Sequence, residues 1–177
     1  MRTRPALAAA AASLTVLLTA TGASAAVSAP DSLSAPAAAT CGEGSVTVTA
    51  TRSDAADTVR ISVTNKSGRA CVVDRIPTVT FGDLDGAAQP VPPVESSPYR
   101  LAAGGSAYAS VRTVDPSAEA PRTVAHLTVA GDPSHHGTRF DGASLGSPGG
   151  IEVWEPVTTL WQPTRAKADA ALAAATR

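Results

Sequence analysis

A period-two alternation runs through the middle of the chain and leaves few folds open to it. In "SVTVTAT" Val46, Val48 and Ala50 fall on one side and Thr47, Thr49 and Thr51 on the other. "DTVRISVTN" repeats the pattern, with Val59, Ile61 and Val63 set against Thr58, Arg60, Ser62 and Thr64. Successive side chains of an extended backbone point to opposite faces, so both stretches read as half-buried strands, joined by the polar turn "RSDAAD". "CVVD", "PTVTF", "YRL", "SAYASVRTV", "RTVAHLTVA" and "IEVWEPVTTLW" follow as further strand candidates. Asp85-Gly86 marks a tight turn between them. The segment "AAQPVPPVESSP" carries four prolines and is excluded from a central strand, because proline has no ladder donor; it is a loop or an edge crossing. "GDPSHHGTRFDGASLGSPGG" reads as a long Gly-rich loop. The expectation is an all-β domain, an antiparallel β-sandwich of seven to nine short strands.

The start of the chain has a different character. Arg2 and Arg4 precede an apolar run centred on Leu14, Val16, Leu17 and Leu18, and Ala23-Ser24-Ala25 forms a small-x-small cleavage site. The run is shorter than the roughly 20 residues that span a bilayer. Residues 1–25 therefore read as a secretory signal peptide, and no membrane insertion is expected after its removal. Residues 26–40, small, Pro-containing and almost uncharged, read as a flexible leader. Loss of Arg2 and Arg4 leaves the remainder mildly acidic, which offers no electrostatic basis for binding nucleic acid.

The chain has two cysteines. In an exported protein they admit one intrachain bridge, Cys41 to Cys71, which would stabilise the fold by about 3–4 kcal/mol through loop closure. Free or intermolecular thiols are the alternative. A zinc site is weaker, because structural zinc takes four ligands and neither cysteine has a Cys-x-x-Cys neighbour.

In "TNKSGRACVVDRIPTVTFGDLDG" and "LAAGGSAYASVR" the chain resembles the actinobacterial secreted family called domain of unknown function 4232. The shared elements fall on Cys41, Thr64-Asn65 with Ser67, Cys71, Pro77 with Val79, and Leu101 with Gly104 to Ala109. Arg75 stands where the family usually has glycine, and Ala103 where it usually has proline. The resemblance covers about residues 41–130 and implies an immunoglobulin-like β-sandwich exported by Gram-positive cells, with no assigned catalytic residues. Asn65-Lys66-Ser67 also matches a glycosylation sequon, but with that implied source it reads as a hairpin turn.

Candidate chemistry is sparse. His126, His135 and His136 are the best metal candidates, yet adjacent histidines on an extended chain diverge, and His135-His136 lies in the Gly-rich loop. Asp83 and Asp85 lack the regular ligand series and downstream glutamate of a calcium loop. Ser106 has no strand-to-helix elbow around it. Glu152 and Glu155, three apart on one strand, fall on opposite faces rather than across a cleft. No catalytic residue, metal or cofactor is expected, and the protein is not expected to be an enzyme.

Flat rings can anchor a protein or stack on a sugar, and Trp154, Trp161, Tyr99 and Tyr108 are the binding candidates. The spacing of the tryptophans places them on opposite faces unless Pro156 bends the strand, so one is expected in the core and one near the surface. Residues 163–177 form a tail whose alanines favour a helix capped by Thr164, with a face too small to bury much. The expected protein is a secreted, extracellular or cell-wall-associated module occupying residues 41–162 that binds an extracellular or cell-wall protein or glycan. The alternatives are a secreted protease inhibitor presenting "QPVPPVESSPYR" and a metal-binding protein or enzyme built on the histidines.

Overall fold

The structure is a computed structural model that describes residues 38–176. The expected signal peptide, and the leader as far as residue 37, lie outside the described residues. In chain order the elements are β1 (Val46–Arg52), β2 (Thr58–Asn65), β3 (Cys71–Asp74), β4 (Thr78–Phe81), β5 (Gln89–Val91) and β6 (Pro98–Leu101). They continue as β7 (Ser106–Arg112), β8 (Arg122–Val124), β9 (His126–Ala130), β10 (Thr138–Asp141), β11 (Ile151–Val153), β12 (Val157–Thr159) and α1 (Arg165–Ala175). Among the described residues no helix is long and apolar enough to cross a membrane.

The principal sheet has the order β1-β2-β7-β12-β5, antiparallel except where β5 runs parallel to β12 at its edge. Three strands, β10-β9-β4, form a second sheet, and the pairs β11-β8 and β3-β6 complete the domain. The expected alternation decides which side chains turn inward. Val59, Ile61 and Val63 of β2, with Ala107, Ala109 and Val111 of β7, are buried together with Val79, Phe81, Leu127 and Val129 of the three-stranded sheet in one apolar cluster. Burial of this apolar surface supplies the main driving force for folding.

Twelve strands stand among the described residues rather than seven to nine, and each difference has a local cause. "RTVAHLTVA" is not one strand. Ala125 leaves the ladder and its carbonyl accepts the Gly142 amide at 2.8 Å, so Val124 and Leu127 both face inward while Ala125 is exposed. "IEVWEPVTTLW" is likewise split, by Glu155 at φ 44° and by Pro156, which has no N–H to donate. The Gly-rich segment contains β10, paired with β9 from Thr138↔Val129 to Asp141↔His126. Gly137 makes that hairpin possible: it sits at φ 82°, and a Cβ there would lie 2.8 Å from the Val129 carbonyl oxygen. The Pro-rich segment contributes β5 at the sheet edge, where Pro90 needs no donor, and continues into β6.

Pairing begins before Cys41. The Ala39 carbonyl accepts the Val72 amide at 3.0 Å, so the end of the expected leader lies along β3.

The C-terminal helix is not a loosely attached tail. Thr164 caps it as expected, accepting the Lys167 amide at 3.2 Å. A helix of 11 residues is marginal alone, and Arg165 and Lys167 stand at the end where positive charge opposes the helix dipole. Tertiary contact holds it instead. Ala168 and Leu172 are buried, and the Asp169 carboxylate accepts from Arg60 Nε at 3.0 Å and from Ser110 Oγ at 2.7 Å. Arg60 and Ser110 are register partners on β2 and β7, so α1 covers the outer face of the principal sheet. That cover explains why Ser110, outward by alternation, is buried.

Candidate functional site

Cys41 and Cys71 are disulfide-bonded, with their Cα atoms 5.0 Å apart. Free or intermolecular thiols are thereby excluded for this pair. Beside the bridge, the Cys41 carbonyl bonds His135 Nε2 at 2.8 Å. His135 is thus half-buried at the domain edge, whereas His136 is exposed. His126 lies on β9, with a buried Nδ1 that has no partner among the described residues. The three histidines are not drawn together, and no three ligating side chains converge among the described residues.

Nearby, the Glu43 carboxylate accepts the Gly137 amide at 2.8 Å. This bond, assisted by the neighbouring histidines, holds the Glu43 carboxyl below the usual range.

The four aromatic candidates occupy four different settings. Trp161 is 2% exposed and fills the core, whereas Trp154 is 40% exposed, the division expected from their spacing. Tyr99 on β6 is half-buried, and burial pushes its hydroxyl pKa up. Tyr108 on β7 faces outward beneath α1, with the Arg165 guanidinium 5.7 Å from its ring centroid. They form no shared aromatic face.

Trp154 is set on a fixed backbone. Its amide donates to Thr113 O at 2.9 Å, and its carbonyl accepts the Asp115 amide at 3.0 Å. The next residue, Glu155, is the non-glycine residue with positive φ among those described. Such a conformation costs of order 1–3 kcal/mol and persists where the surroundings enforce it, which is common at functional positions.

Glu155 also borders a cleft of about 450 Å³. The apolar wall comes from Phe81, Leu84 and Ala87 near the β4–β5 turn and from Val153, Pro156 and Val157 across the β11–β12 kink. Asp85, Asp115, Glu155, Arg112 and Gln89 supply its polar groups. The Arg112 guanidinium, 12% exposed, pairs with Asp115 at 2.5 Å. Asp115 is held below the usual carboxylate range chiefly by the Ser117 hydroxyl and amide, with Arg112 adding to the effect. The size falls within the range of ligand-binding clefts.

None of the aromatic candidates lines this cleft, although Trp154 separates two residues that do. Sequence inspection missed it because its walls come from three distant segments. The available local signal was the Glu155-Pro156 break, which ends a strand.

Fold and site together define a disulfide-bridged, mainly antiparallel β-domain with a small apolar cleft at a strand kink. Residues 41–162 match the model of the family described as domain of unknown function (DUF4232), and the chain belongs to that family. No curated protein and no solved structure matches the chain.

Proposed function

We propose that the protein is exported and acts as a non-catalytic binding module that engages an extracellular or cell-wall partner at the kink carrying Trp154 and the cleft beside it. Export is supported by the charged, apolar and small-x-small order of residues 1–25, and by a disulfide of the kind that persists in oxidising compartments. The resemblance to an actinobacterial secreted family supports the same compartment and an immunoglobulin-like arrangement.

One observation carries the binding site: an exposed tryptophan on a backbone bonded on both sides, followed directly by a strained residue that borders an apolar cleft. Large aromatic side chains on rigid supports supply contact area with little loss of conformational freedom. Two of the polar residues first weighed for catalysis or metal binding have partners within the fold. Ser106 Oγ bonds the Thr64 hydroxyl at 2.7 Å, and His135 is committed to the Cys41 carbonyl.

The test is capture from culture supernatant and cell-wall extract on the immobilised exported protein, beside its Trp154→Ala variant. A protein or glycan retained by the parent and released by the variant, with unchanged thermal unfolding, supports the proposal. Identical retention by both removes Trp154 and its surroundings as the contact, and recovery of uncleaved chain in the cytosol removes export.

A further inference from the structure

The cleft beside Trp154 has an uneven charge. Arg112 is neutralised by Asp115, which leaves Asp85 on one side and Glu155 on the other. Both are exposed, and neither belongs to an ion pair among the described residues. The same lining includes the half-buried Leu84, Pro156 and Val157, with the buried Phe81 behind them in the core. An apolar wall together with two uncompensated carboxylates favours a ligand with an apolar body and a positive charge, and disfavours an acidic one. Acidic wall polymers are thereby the poorer fit and a polypeptide the better one. The cleft is bordered by Gln89 at the start of the edge strand β5 and is sized for a few side chains.

We infer that this cleft binds a peptide segment of a partner protein that presents an arginine beside apolar side chains, with Asp85 and Glu155 facing the guanidinium and Leu84, Pro156 and Val157 receiving the apolar neighbours. The inference rests on the cleft being the contact region proposed above.

Isothermal titration calorimetry of the exported protein with acetyl-Leu-Arg-Leu amide and acetyl-Leu-Glu-Leu amide tests it. The arginine peptide is expected to bind about tenfold more tightly at low salt, the margin shrinking as ionic strength rises. Asp85→Asn with Glu155→Gln should abolish the margin while leaving thermal unfolding unchanged. Should that pair of changes disturb folding, Glu155→Gly, which suits the positive φ, removes one carboxylate and is expected to reduce the margin.

Equal affinity for the two peptides, binding of neither, or a preference that survives in the folded variants overturns the inference. Those outcomes leave the capture comparison with Trp154→Ala standing on its own. A partner that is captured through Trp154 but is acidic would therefore separate failure of the ligand class from failure of the site.

Discussion

Asn65 Nδ2 donates to the carbonyl oxygen of Ala102 at 3.0 Å, joining the turn after β2 to the turn before β7. The same amide donates to Arg69 O at 2.7 Å, while Asn65 Oδ1 accepts from the Ser67 amide at 2.9 Å and from its hydroxyl at 2.7 Å. The side chain is fully buried, so the apparent sequon serves as a structural clamp between two hairpin ends and its nitrogen is inaccessible to a modifying enzyme.

Asn65→Ala should cost about 1–3 kcal/mol, because it removes several hydrogen bonds made by a fully buried side chain to part-buried backbone groups. Asn65→Asp should cost at least as much, since an oxygen would then face two carbonyl oxygens. Denaturant midpoints of the two variants check this, and a shift in either that is indistinguishable from zero refutes the clamp.

The Cys41–Cys71 bridge closes a segment with a sequence separation of 30. Cys41→Ser with Cys71→Ser should lower the unfolding free energy by about 3–4 kcal/mol through the larger conformational freedom of the open unfolded chain. Urea unfolding of the oxidised parent and the double variant measures the difference, and a change under about 1 kcal/mol would contradict the loop-closure estimate.

Asp169 ties α1 to the sheet. Burial alone raises its pKa, but the hydrogen bonds from Arg60 and Ser110 outweigh burial and hold the carboxyl below the ordinary value of 3.8. Because the folded pKa is depressed, the unfolded state takes up the proton first on acidification. The contact therefore contributes fully above the ordinary carboxylate pKa and fades as pH falls from about 4 through the depressed folded value. Asp169→Asn should cost about 0.5–1 kcal/mol at neutral pH, a modest figure because the pair is partly exposed, and should flatten the acid-side loss. Proteolytic release of α1 followed against pH in both proteins tests this; parallel profiles would reject the assignment.

Trp161 fills the core, yet its buried Nε1 has no acceptor among the described residues. Trp161→Phe should therefore remain within about 1.5 kcal/mol of the parent, since most ring volume stays and an unpaired N–H goes, whereas Trp161→Ala should lose about 3–5 kcal/mol. Thermal unfolding separates the two, and equal losses would mean that the indole N–H contributes more than packing does.

Much of the architecture was legible before any coordinates. Alternation identified β1 and β2 and their inward residues, since side-chain period is a property of the extended chain itself. The helix cap at Thr164 and the turn at Asp85-Gly86 were equally local. The breaks at Ala125 and Glu155 were not. Each depends on a partner elsewhere: Ala125 on the Gly142 amide, and the segment around Glu155 on the Thr113–Asp115 backbone that pins Trp154.

From the order of residues alone came a β-rich domain with one available sulfur–sulfur link and a helix-forming end, because each of these is set by neighbours or by a count of cysteines. Tertiary structure decided the rest. It docked α1 through a contact between residues 109 positions apart, Arg60 and Asp169, and decided that Trp161 is the buried tryptophan and Trp154 the exposed one. It also assembled the cleft from Phe81, Arg112 and Pro156. Those outcomes depend on which strands pair and which faces meet, and packing settles that only when the whole core closes.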